Sequence, residues 1–127
     1  MAVKNTIYFG VSEIMVANTS TTTVALDDDT YVYRISVTED TAISFDTSNL
    51  DPDKTAQGSE WGYQILLEIY FGNTTKTVTF PNGVIWERGA TPILNVANTR
   101  NFIRFEFIDG QIYGCYEGSA TYSGSLV

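Results

Sequence analysis

Acidic and aromatic side chains are the groups in this chain with chemistry to offer. Fifteen Asp and Glu stand against seven Lys and Arg, and histidine is absent. Without imidazole, neither a Ser–His–Asp nor a Cys–His nucleophile can be assembled, and zinc loses its commonest ligand. What remains for catalysis is a carboxylate pair of the glycosidase kind, which needs two acids converging in a cleft with one pKa raised. No spacing here selects such a pair. Glu68 is the least comfortable acid, set in the apolar run Tyr63–Phe71, and an arginine on a neighbouring strand would satisfy it equally well. The expectation is therefore a non-enzyme with no catalytic residue and no cofactor.

The other candidate sites carry bland readings of greater weight. Asp27-Asp28-Asp29 offers oxygen ligands for calcium, but lacks the alternate spacing and terminal glutamate of an EF-hand loop. A solvated turn between strands is the better reading, as it is for Asp46 and Asp51-Pro52-Asp53, and no metal site is expected. Asn18-Thr19-Ser20 and Asn73-Thr74-Thr75 match the glycosylation acceptor pattern by chance in a Thr- and Asn-rich chain. Cys115, the one cysteine, excludes an intrachain disulfide and reads as a small buried apolar residue. Among eight Tyr, seven Phe and two Trp, most belong to core and interface. Trp61, inside a polar stretch, and the adjacent Tyr63 are the candidate contacts for a ligand or partner, with host glycan as the ligand in view.

The composition bounds what these residues can serve. A 127-residue chain with 43% hydrophobic and 17% charged residues is one domain that folds without disulfides or metals. No apolar run approaches the roughly 18 residues of a membrane helix, and the first residues lack the apolar stretch of a secretory signal. A net charge of −8 repels polyanions. The basic residues are scattered, so no stripe can neutralise successive phosphates. Neither nucleic acid nor membrane is an expected partner.

The elements that must position the candidates read as strands throughout. Thr, Val, Ile, Tyr and Phe recur in short runs broken by Gly, Asn, Asp and Pro. Strands are expected at 6–9, 13–17, 21–26, 31–37, 41–45, 63–71, 76–80, 84–86, 102–108 and 111–116. The 31–37 and 41–45 segments read as a hairpin across Glu39-Asp40. The 46–62 segment is the longest loop, and such loops often carry function. Tyr63–Phe71, apolar on nearly every position, reads as a central strand covered on both sides. Asp109-Gly110 suits positive φ at both central positions of a type I′ turn, which sets Ile108 against Gln111, Phe107 against Ile112, Phe105 against Gly114 and Ile103 against Tyr116. The Phe105 ring is expected to lie over Gly114. Residues 117–127, rich in Gly and Ser, read as a tail that is either flexible or exchanged with a neighbour. No tandem repeat and no helix is visible. Short strands with regular turn signals predict an all-β fold: residues 1–127 as a single-domain antiparallel β-sandwich or jelly-roll-like unit.

Within 78–114, an alternating strand ends in Phe80-Pro81, Trp86 precedes a turn containing Gly89 and then Pro92, and a hairpin closes through Asp109-Gly110 at Tyr113-Gly114. This order resembles a module of bacteriophage virion proteins, found in capsid decoration or head-fibre proteins and in tail fibres. It departs at Arg88-Gly89, where paired glycines recur, and at Tyr113, where a tryptophan is common. The resemblance implies a β-sandwich or jelly-roll virion structural protein without catalytic residues, made in the host cytoplasm, acting as a homotrimer and contacting other virion proteins, chiefly the major capsid protein. Capsid decoration or a head fibre is the expected role. A tail-fibre or receptor-binding module for host surface glycan is the alternative.

Overall fold

The computed structural model describes residues 11–121. Among the described residues nine strands make two sheets: β1 Val11–Ala17, β2 Thr21–Asp27, β3 Thr30–Val37, β4 Thr41–Asn49, β5 Gly62–Phe71, β6 Val78–Thr79, β7 Ile85–Trp86, β8 Thr99–Ile108 and β9 Gln111–Thr121. The larger sheet runs β1-β3-β5-β8-β9-β7 and the smaller β2-β4-β6. Among the described residues no α-helix occurs, only 3-10 turns at Pro52–Lys54 and Glu87–Gly89. The all-β architecture expected from the sequence is present. The expected strand at 6–9 and residues 122–127 lie outside the described residues.

The pairing differs from a purely antiparallel sandwich. From β1 to β6 the chain alternates between the sheets, and each strand pairs in parallel with the strand two before it: β1 with β3, β3 with β5, β2 with β4, β4 with β6. The result is three stacked coils of a flattened helix. The expected 31–37/41–45 hairpin is therefore not formed. Thr38-Glu39-Asp40 carries the chain across to the other sheet, Thr38 N–H donating to Ala17 O at 2.9 Å and Ala42 N–H to Ser20 O at 2.9 Å, each reaching the coil below. Only β5–β8 and β8–β9 are antiparallel. The coils form no recognisable tandem repeat because the 50–61 and 72–77 connections lengthen the later coils.

Alternation still decides which side chains enter the core. Val24 and Leu26 of β2, Tyr33 and Ile35 of β3, Ile65, Leu67 and Ile69 of β5, and Ile103 and Phe105 of β8 are all fully buried between the sheets. Rings bridge the layers: Phe45 of β4 meets Phe105 and Phe107 edge-on at centroid distances of 5.1 and 5.7 Å. Burying each such ring contributes roughly 1.5–3 kcal/mol, so the aromatic bridge is a principal tie between the sheets.

The last hairpin has the register the sequence predicts, Ile108 with Gln111 through Ile103 with Tyr116. Asp109 and Gly110 both have positive φ, 54° and 75°. A bulge between Phe102 and Ile103 then lets β9 continue, Phe102 pairing with Gly118 and Thr99 with Thr121. The 117–121 part of the expected flexible or exchanged tail is thus a strand paired within its own chain.

Candidate functional site

Three motif residues of the 78–114 segment, Phe80, Trp86 and Gly114, meet at one corner of the core, while Asp109-Gly110 sit at the hairpin turn beside Gln57 and Gly58. Phe80 and Trp86 stack edge-on at 5.2 Å, and Trp86 meets Phe105 at 5.6 Å. Gly114 does pair with Phe105, but the ring that covers it is the Trp86 indole. A Cβ at Gly114 would stand 2.6 Å from Trp86 Cζ3 and 3.0 Å from Val84 Cγ1. Strand β7 explains this, since Trp86 pairs with Gly114 on the far side of β9 and β7 reaches β9 through the turn at Gly83, φ 86°. Gly89 has φ 72° and so does its neighbour Arg88, at 63°, a left-handed pair that favours glycine at both positions. Pro92 is partly buried, and Tyr113 is 39% exposed. Phe80, Trp86 and Gly114 thus build a packed corner, and Trp86, Tyr113 and Gly114 also border a hollow with Glu87, Arg104 and Glu106.

Cys115 is not the buried residue the sequence suggested. It points to the outer side of β9, partly exposed, and its thiol donates to Glu87 Oε1 at 3.0 Å. The Glu87 carboxylate, with a smaller contribution from burial and from Glu117, pushes the thiol pKa up to about 11. Such a thiol is a poor nucleophile at neutral pH.

The outer face of the large sheet is less polar than a solvent face. Arg34, Glu68 and Phe102 lie side by side across β3, β5 and β8, on the side opposite Tyr33, Leu67 and Ile103. Glu68 is only 2% exposed there. It accepts from Arg34 Nε at 3.1 Å and from Arg100 Nε at 2.6 Å. Burial alone would raise its pKa, but the hydrogen bonds from Arg100 and Arg34 outweigh that and hold the carboxyl below its ordinary value. The arginine pairing raised for Glu68 is met by two arginines. Around this triad Tyr70 is buried, while Ile14 and Val16 of the neighbouring β1 are 42% and 45% exposed.

Trp61 and Tyr63 border one groove, the first exposed and the second largely enclosed. Trp61 is 65% exposed. Tyr63 is nearly buried, its hydroxyl donating to the carbonyl oxygens of both Asp27 and Thr30 at 3.0 Å, so it offers the groove little ring surface. Tyr31, not singled out from the sequence, joins them: its ring is 6.1 Å from that of Tyr63 and it is partly exposed. A parallel crossover, not alternation, brings Tyr31 beside β5, and no local signal announces it. Trp61, Tyr31, Tyr63, Gln64, Leu66 and Lys54 line a groove of about 520 Å³.

Lys54 is fixed at the groove's edge, its Nζ 2.9 Å from Asp28 Oδ1 and 5.2 Å from the centre of the Tyr63 ring. Asp28 also accepts Asp51 N–H at 3.1 Å. The hydrogen bond from Lys54, then that from Asp51, holds the Asp28 carboxyl below its usual range. Within the same acidic run Asp27 Oδ1 accepts Asp29 N–H at 2.9 Å, the self-capped turn the sequence favoured. Among the described residues no group of acids, cysteines or histidines is arranged to hold a metal, and no helix is long and apolar enough to cross a membrane.

Comparison of the chain with known protein families, with curated proteins and with solved structures finds no match.

Proposed function

We propose that this chain is a bacteriophage structural protein, a capsid decoration or head-fibre subunit that self-associates and binds the capsid surface. Its resemblance to virion modules at Phe80-Pro81, Trp86, Gly89, Pro92 and Asp109-Gly110 supports the setting. The observation that carries the assembly role is the outer face of the large sheet, where Glu68 is enclosed by Arg34 and Arg100 beside the exposed Ile14 and Val16. Elsewhere the chain is acidic, and copies with a net charge of −8 repel each other. On this face Arg34, Arg100 and Arg104 balance Glu68, Glu106 and Glu117, so close approach costs less there than on the acidic remainder. Depleted charge with apolar residues at the centre is the usual make-up of an interface core. A homotrimer is the unit the family resemblance suggests, with the major capsid protein as its platform.

Light scattering on the full chain, together with co-sedimentation on expanded capsids of the encoding phage, tests this. An oligomer that binds capsids is expected, and Val16→Asp should return it to monomer and release it. A chain that stays monomeric and passes the capsids unbound would refute the reading. Localisation of the chain to the tail in a particle reconstruction would replace the head assignment with the tail-fibre one.

A further inference from the structure

The groove at the start of β3 and β5 combines features that an assembly contact does not need. Trp61 exposes most of its ring, and Tyr31 on the opposite coil is 36% exposed. Both line a hollow whose other walls include the exposed amide of Gln64 and the Lys54 ammonium. Lys54 is already neutralised by Asp28 at 2.9 Å, so the pair offers hydrogen-bond donors and acceptors with no net charge. Aromatic faces beside a few fixed polar groups are the make-up of a small-molecule site. Flat rings suit the C–H faces of a pyranose, while an amide and a locked ion pair suit its hydroxyls. A lipid or apolar peptide would leave Gln64 and the ion pair desolvated without partners. An anionic ligand would meet the field of a chain with net charge −8 and no uncompensated cation among these lining residues.

We infer that this groove binds a neutral saccharide, with Trp61 and Tyr31 as stacking residues and Gln64 and Lys54 as the polar contacts. The site goes beyond the assembly role. It lies at the end of the large sheet where β3 and β5 begin, while Val16 and Arg100 lie toward the other end.

Isothermal titration calorimetry of the full chain with lactose, N-acetyllactosamine, cellobiose and maltose tests the site, with 3′-sialyllactose as the anionic probe. At least one neutral sugar should bind with a dissociation constant of about 1 mM or tighter. Trp61→Ala and Tyr31→Ala should each weaken that binding about tenfold. Ile93→Ala, at an exposed residue outside the groove, should leave it unchanged. Silence with all four neutral sugars, preference for 3′-sialyllactose, or equal affinity in Trp61→Ala would overturn the inference. Far-ultraviolet circular dichroism of the variants separates lost binding from lost folding.

Discussion

The indole of Trp86 lies against Gly114 so closely that its Cζ3 stands 2.6 Å from where a Cβ would be. The contact locks β7 to the outer edge of β9, and Phe80 and Phe105 complete the packing around the indole. Gly114 is not among the glycines with positive φ, so its backbone would accept alanine and only the packing forbids it.

Gly114→Ala should accordingly lose about 1–3 kcal/mol, the usual cost of overpacking. Urea denaturation measures it, and the midpoint should fall with little change in slope. Gly72→Ala, where a Cβ meets nothing within 4 Å, serves as the control. An unchanged midpoint for Gly114→Ala would show that the indole moves aside freely.

The Glu68 triad predicts acid sensitivity of a defined sign. Because the folded carboxyl titrates below its ordinary 4.5, its stabilisation is complete above that value and is lost as pH falls through the lower folded pKa. Glu68→Gln should cost about 3 kcal/mol at neutral pH, since it leaves Arg34 and Arg100 without their shared anion. It should also flatten the decline of unfolding free energy below about pH 4.5 relative to the unchanged chain. Equal slopes in that range would assign acid sensitivity to other carboxylates.

The Cys115 thiol should be slow to react. A pKa of about 11 against an ordinary 9.0 leaves roughly a hundredth of the usual thiolate at neutral pH. Iodoacetamide labelling followed by mass spectrometry should be correspondingly slow and should rise steeply with pH. Glu87→Gln, which removes the leading cause of the shift, should accelerate it severalfold. Labelling at the rate of a free thiol would discount the Glu87 contact in solution.

What could be read from the sequence divides along the range of the interactions. The β8–β9 register was legible to the residue because Asp109-Gly110 fixes it locally, and β5 was legible as a central strand from its run of apolar residues. The β3–β4 hairpin was misread because alternation records which face is buried but not which sheet receives the strand. Parallel pairs such as Val32 with Leu66 join segments separated by a full coil, and nothing in either segment names the other. The candidate contact at Trp61 was legible from an aromatic in a polar stretch. The arrival of Tyr31 at the same groove, beside Trp61 and Tyr63, was not, because it depends on a parallel crossover. Glu87 beside Cys115 was likewise invisible, since it depends on β7 docking against β9.

The alternating path between sheets also sets an order of events for a nascent chain. Ser12 must wait for Val32, and Val32 for Leu66, before either gains a neighbour, whereas β8 and β9 meet across a turn of two residues and can pair as soon as both exist. That quick ribbon is made only after all three coils. The windings made first therefore stay unsealed along β5 until β8 arrives, and a chain halted before Thr99 would expose a sticky strand margin to its siblings.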